Sequence, residues 1–193
     1  MSRRIDCCSI LFADIAGSTQ IYEILGDRRA QRMVAACLSK LSEVVQHHRG
    51  EVIKTIGDEV MCTFAKVDDA IQAAAAMNHN IDQLSDVDGC DLISPNICIG
   101  IHSGPVIKKD KDVFGDAVNL AARVVKLAKP RQILLTEQAV GSLSPIYLYT
   151  VRYMATETIK GKRGEFKIYE FLWSLKDDTV KLKHASVPQI ADA

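Results

Sequence analysis

Apolar positions recur along the chain with two periods, and the switches between them mark out its elements. Ile5-Asp6-Cys7-Cys8-Ser9-Ile10-Leu11-Phe12-Ala13 reads as a buried strand. It runs into Asp14-Ile15-Ala16-Gly17-Ser18-Thr19, where Ser18 or Thr19 can cap a helix. Gly26-Asp27 interrupts that helix early. Over 27–48, Met33, Val34, Cys37, Leu38, Leu41, Val44 and Val45 fall on one stripe at helical spacing, which predicts a core-facing helix. Gly50 ends it behind His47, His48 and Arg49, cations that suit the negative end of the helix dipole. Adjacent helical residues do not face one site, so the two histidines do not read as a metal pair.

A hairpin follows over 51–65, with Gly57-Asp58 as its two-residue turn. Period two puts Lys54 on the face of Val52 and Ile56, where a lone ammonium costs desolvation unless it meets a partner. Asp58 sits at the turn, where a carboxylate can point away from the sheet. Such turns are common and edge lysines snorkel to water, so this stretch alone defines no site. An alanine-rich helix over 68–84 buries Ile71, Ala74, Met77, Ile81 and Leu84. A polar loop leads to a strand over 97–102, which Ser103-Gly104-Pro105 turns into a short Val106-Ile107 piece. The alternating charges of 108–112 read as an exposed excursion.

From Ala117 a second amphipathic helix buries Ala117, Val118, Ala121, Val124, Val125 and Ala128. Asn119 and Arg123, four residues apart, are neighbours on its other side, as many solvated polar pairs are. Beyond Pro130 come a short strand at 133–135, a short helix at 137–142, and strands over 147–153 and 166–173. Lys160-Gly161-Lys162-Arg163-Gly164 is a basic glycine loop between those two strands. The pattern fades after residue 175, so 1–175 reads as one domain and 176–193 as a linker or tail. Strand–helix–strand–strand–helix–strand is the order of an α+β, ferredoxin-like βαββαβ core, here with strands and a helix appended at the C-terminal end.

Composition narrows the classes. The 193 residues are 48% hydrophobic and 25% charged with a formal net charge of zero, so no strong field favours nucleic acid or an anionic membrane. No apolar run reaches the ~18–20 residues of a membrane-spanning helix. Met1-Ser2-Arg3-Arg4 leads directly into a strand, which does not read as a signal peptide. The six cysteines form no CxxC pair and read as reduced core residues, so a cytoplasmic location is expected.

In this strand order Asp14 and Asp58 come together at one sheet edge. Two ionised carboxylates held close repel unless a cation lies between them, and Mg²⁺ takes a few carboxylate oxygens while leaving room for water and phosphate. The helix start at 15–19 offers backbone N–H groups to phosphate oxygens. Together these suit two-metal phosphoryl or nucleotidyl transfer, a description that a polymerase palm also fits.

Three motifs then resemble a known family in its own order. Phe12-Ala13-Asp14-Ile15 with Gly17-Ser18-Thr19 resembles the first metal-binding motif of class III nucleotidyl cyclases, and Lys54-Thr55-Ile56-Gly57-Asp58 resembles the second. The stretch from Asp112 through Gly115, Asn119 and Arg123 resembles their signature helix. The likeness covers roughly residues 5–173. It implies that Asp14, Asp58 and the Ile15 carbonyl bind two Mg²⁺ or Mn²⁺ ions, and that Gly17, Ser18 and Thr19 meet phosphate. It implies that Lys54 and Asp112 read adenine, Asn119 orients ribose, Arg123 stabilises transition-state charge, and Lys160 meets the terminal phosphates. It further implies a head-to-tail homodimer with two interfacial sites. At each site one chain gives the aspartates, and the other gives Lys54, Asp112, Asn119 and Arg123.

The expected reaction is ATP to 3′,5′-cyclic AMP and pyrophosphate. A guanylyl cyclase is the enzymatic alternative, although relatives of that kind carry Glu and Cys where Lys54 and Asp112 stand. A nucleotide-binding pseudo-cyclase acting as a dimerising signalling module is the other. No Gly-Gly-acidic-acidic-Phe hairpin supports a diguanylate-forming enzyme. Gln132 stands where some relatives place a phosphate-binding arginine, with Arg131 one residue earlier. The short polar tail suggests a regulatory domain beyond it or an activating partner.

Overall fold

The computed structural model describes residues 5–84, 93–158 and 164–174. Lys160 and the tail lie outside them. Among the described residues eight strands form one sheet. Its ferredoxin-like half consists of β1 (Ile5–Ile15), β2 (Glu51–Ile56), β3 (Glu59–Phe64) and β4 (Ile97–Lys109) in the order β2-β3-β1-β4, every neighbour antiparallel. Beyond β4 the sheet continues through β6 (Ile133–Thr136), parallel to β4, then β8 (Glu165–Phe171) and β7 (Val151–Thr158), while β5 (Asp112–Phe114) hairpins onto the far end of β4. This is the α+β architecture expected from the element order, appended strands included.

Two layers of helix cover the sheet, and strand alternation assigns each its face. Leu11, Ala13 and Ile15 of β1, with Val60, Cys62 and Phe64 of β3 and Ile97, Ile99 and Ile101 of β4, pack under α2 (Asp27–His47) and α3 (Val67–Asp82). The intervening residues Cys8, Ile10, Phe12, Met61 and Cys98 pack under α4 (Asp116–Val124). The alternation also determines where the polar strand ends point. Asp14 continues the series of Cys8, Ile10 and Phe12, and Glu59 stands two residues before Met61, so both carboxylates lie on the α4 face.

Gly100 places α4 on that face. A Cβ there would come within 2.3 Å of Val125 N and 2.7 Å of Val125 Cα, so only glycine lets the end of the helix lie on β4. The helix tightens at that point into a 3₁₀ turn, Val125–Leu127.

Four local expectations are corrected. The helix α1 (Ser18–Leu25) is capped by Gly17 in the left-handed conformation, φ 66°, so Ser18 and Thr19 are its first residues and neither is the cap. Residues 103–105 do not turn: β4 runs straight through Pro105, which pairs with Cys7. Pairing of β4 with β6 ends at Ile101 and pairing with β5 begins at Ile107, so the missing proline N–H falls where β4 has β1 alone beside it. Residues 147–150 belong to a 3₁₀ turn, Pro145–Thr150, started by proline and tied by Thr150 Oγ1 donating to Tyr147 O, 2.7 Å. Lys54 does not share a face with Val52, because a β-bulge between them sets Lys54 opposite Met61 on the α4 face and leaves Val52 opposite Cys62 on the other.

Candidate active site

Asp14 and Asp58 meet as their strand ends predict. Asp14 is the cross-strand partner of Glu59, and the Asp58 carbonyl accepts the Ile15 N–H at 3.3 Å. The turn depends on Gly57, which takes φ 63°. Sequence reasoning passed over two residues here. Glu59 lies beside the aspartates on the α4 face, and Lys126, on the 3₁₀ turn, donates to Asp14 Oδ2 at 2.8 Å and to Glu59 Oε2 at 3.0 Å. Both signals were present: Glu59 by strand alternation, Lys126 by falling seven residues after Asn119 on the stripe that carries Arg123.

The electrostatics follow the burial. The Glu59 side chain keeps only 10% of its exposure. Burial pushes its carboxyl above the usual range, the Lys126 bond opposes this, and the charges of Asp14 and Asp58 add to the rise. Burial alone would lower the Lys126 ammonium, but its bonds to Asp14 and Glu59 more than reverse that and leave it above its ordinary value. Burial, with Asp14 nearby, pushes the Cys98 thiol up to about 11, so it is an inert neighbour of the acids.

A second polar group lies on the same face nearer the β2 edge. Lys54 Nζ donates to both carboxylate oxygens of Asp112, at 2.9 and 2.7 Å, and stands 5.9 Å from the centre of the Phe114 ring. The hairpin that brings Asp112 there turns on Asp110 and Lys111, both with positive φ. The Lys54 bond, helped by the Val113 N–H, holds the Asp112 carboxyl below its usual range.

On α4, Asn119 is exposed and Arg123 is half-buried. Arg123 Nη1 is buried and has no hydrogen-bond partner among the described residues. A buried donor left unpaired costs about 1–3 kcal/mol, a cost that an anionic acceptor arriving from outside the chain would relieve. Gly17 caps α1, which Ser18 and Thr19 begin, and lines a hollow of about 300 Å³ together with Gln20, Asn96 and Pro130. The first-turn N–H groups there have no preceding carbonyl within the helix. Arg131 belongs elsewhere: its guanidinium binds both Asp82 oxygens and lies over the Trp173 ring, 5.0 Å from its centre, while its carbonyl accepts the Trp173 indole N–H. The fork that could grip phosphate is engaged in holding the C-terminal strand to α3.

A ferredoxin-like sheet with an acidic strand end, an acidic hairpin turn beside it and an Asn/Arg helix over the same face is the architecture of a class III nucleotidyl cyclase. The chain belongs to that family: the model described as adenylate and guanylate cyclase catalytic domain matches residues 1–172. An adenylate cyclase of Anabaena cylindrica is 31% identical over 180 residues, covering 84% of this chain and 36% of that protein. This chain thus spans about a third of that relative. The adenylyl cyclase CyaB from P. aeruginosa superimposes with a TM-score of 0.77 at 20% identity, over 89% of this chain and 96% of that one. The guanylate cyclase domain of RhGC from Catenaria anguillulae does so with 0.75 at 19%, over 87% and 97%. These two superpositions establish the fold alone.

Family membership implies a metal-dependent mechanism. Among the described residues no group of three or more His, Cys, Asp or Glu side chains is gathered closely enough to hold an ion unaided. The donors nevertheless fit a divalent cation. Asp14 and Glu59 already converge on one cation, the Lys126 ammonium, and an Mg²⁺-type ion needs only one or two carboxylates when phosphates fill its other positions. Among the described residues no helix is long and apolar enough to cross a membrane.

Proposed function

We propose that the chain is an adenylyl cyclase that converts ATP to 3′,5′-cyclic AMP and pyrophosphate at sites shared between two copies. The observation that carries this reading is the Lys54–Asp112 pair, an ammonium and a carboxylate 2.7 Å apart at one edge of the α4 face. Adenine presents a ring-nitrogen acceptor beside an exocyclic amino donor. A neighbouring cationic donor and anionic acceptor match that edge, whereas guanine presents a carbonyl acceptor and a ring N–H donor in the reverse order. Binding would exchange the Lys54–Asp112 contact for two contacts to the base.

The other roles are those the family resemblance implies. Two Mg²⁺ or Mn²⁺ ions bound by Asp14, Asp58 and the Ile15 carbonyl would supply Lewis-acid activation of the ribose 3′-hydroxyl and of the leaving pyrophosphate. Gly17, Ser18 and Thr19 cradle phosphate at the start of α1. Asn119 orients the ribose, and Arg123, whose Nη1 is buried without a partner among the described residues, meets charge developing on the transferred phosphorus. Lys160 reaches the terminal phosphates. Asp14 and Asp58 serve one site of a homodimer, and Lys54, Asp112, Asn119 and Arg123 serve the other. The catalytic domain covers 1–175, and a regulatory domain would lie outside it.

Turnover of labelled ATP and of labelled GTP by the purified chain, with each product identified, tests the reading. Cyclic AMP from ATP, with GTP a poor substrate, is expected. Cyclic GMP from GTP in preference to cyclic AMP from ATP, or nucleotide binding with no turnover at any protein concentration, would overturn it.

A further inference from the structure

Lys126 has no part in the chemistry above, yet its side chain binds Asp14, one of the metal-binding acids, and Glu59 beside it. Its ammonium bridges Asp14 Oδ2 and Glu59 Oε2 at 2.8 and 3.0 Å. The turn that carries it is tightly packed. Val125, the preceding residue, is buried and lies against Gly100, where not even a Cβ fits. The side chain itself is 59% exposed, on a four-carbon stem. It can therefore leave the acids by changing rotamer while the turn stays in place.

We propose that Lys126 is a tethered counter-ion of the metal site: its ammonium occupies the position between Asp14 and Glu59 in the metal-free chain, and a divalent cation must displace it to bind. The proposal rests on the metal-binding role of Asp14 and Asp58 argued above. Charge supplies the reason for such a device. Asp14, Asp58 and Glu59 put three carboxylates at one sheet edge, and Glu59 is nearly buried. Without a cation they repel, so the metal-free fold needs one. An ammonium supplied by the chain meets that need at every metal concentration, and its cost is that each incoming ion competes with it. Lys126 thereby sets the metal concentration at which the site fills. Displaced, it remains tethered at the same edge and returns when the metal leaves.

The test uses the purified 193-residue chain and Mn²⁺ alone, without nucleotide, following free Mn²⁺ by its electron paramagnetic resonance signal. Lys126→Gln removes the charge and keeps a polar side chain. Lys126→Met keeps the apolar stem, so a folding defect in one variant leaves the other to decide. Both should bind Mn²⁺ about two- to fivefold more tightly than the wild type, the worth of about one competing, partly exposed ion pair. Lys126→Arg, which keeps the charge, should stay close to the wild type. Asp58→Ala separates this proposal from the one it rests on. If Mn²⁺ binding is lost with Asp58→Ala, but Lys126→Gln and Lys126→Met bind no more tightly than the wild type, the counter-ion role is wrong and the metal site stands. If binding is indifferent to Asp58→Ala, the metal site itself is misplaced and both fall.

Discussion

Two kinds of residue at this site differ in how far sequence reveals them. Asp14, Asp58, Lys54, Asp112, Asn119 and Arg123 stand in spaced motifs, and each can be named from the string. Glu59 and Lys126 belong to no motif: Glu59 joins the site through its pairing with Asp14, and Lys126 because Gly100 lets the end of α4 settle on β4. Arg123 illustrates how function and stability oppose each other at one position. Its buried Nη1 has no acceptor among the described residues, so the fold bears the cost of holding it ready. Arg123→Ala should therefore leave the melting temperature unchanged or slightly raised while turnover falls about 10²–10³-fold, the range for losing one preorganised donor; calorimetry beside a rate assay checks both halves. Asp112 predicts a pH dependence. Its carboxyl is held below the ordinary range by Lys54, so the pair's contribution is complete above the unfolded-state value, about 3.9, and is lost as pH falls through the depressed folded value. The difference in melting temperature between the wild type and Asp112→Asn should be constant from neutral pH down to about pH 5 and shrink below that. Lys54→Glu combined with Asp112→Cys should admit GTP, because buried donors and acceptors left unpaired by the wrong base cost about 1–3 kcal/mol each. A double variant that keeps the wild-type ATP:GTP ratio would show that these side chains do not read the base.

Among the elements, those with one buried face were legible and those with an unusual edge were not. The stripe of α2 and the run of β1 appear in the chain as plain periodicities, and the observed burial follows them. Where sequence reasoning failed, a tertiary neighbour overrode a local signal. Pro105 reads as a break, but β4 is one-sided there and accommodates it. Tyr147-Leu148-Tyr149 alternates like a strand, but the preceding proline starts a 3₁₀ turn. The bulge after Val52 moves Lys54 to the other face of β2, and no periodicity argument detects an extra residue in one strand. The contact that sets α4 against the sheet is equally invisible in the string. Gly100→Ala should destabilise the chain by about 1–3 kcal/mol, because the added methyl meets backbone atoms of Val124 and Val125 and no flexible side chain can yield. The same variant should weaken the Lys126 contact with Asp14 and Glu59. Denaturant unfolding measures the first effect, and tighter Mn²⁺ binding than in the wild type would report the second.

At the scale of the whole molecule, one chain carries both halves of the constellation that the resemblance divides between two subunits. The acids and Lys126 lie at the β1–β3 end of the α4 face, and Asn119 is exposed on the helix. A dimer would join one chain's acids to the other's helix, and exposed Ile56, Phe114 and Leu127 on the elements around the site offer apolar area for such a contact. The homodimer is the part of the account that sequence implies most indirectly, through resemblance alone. It is also the part that a mixing experiment tests most directly. Asp58→Ala should be inactive because both sites lose a metal ligand. Arg123→Ala should be nearly inactive because both lose transition-state charge. A mixed dimer carries both lesions in one site and none in the other. Random pairing makes about half of the dimers mixed, so up to roughly a quarter of the wild-type rate of cyclic AMP formation should return, rising with protein concentration as dimers re-form. If tagged pull-down shows that subunits exchange and the mixture still makes no cyclic AMP at any ratio, the site is not shared between chains and this account of the enzyme is contradicted.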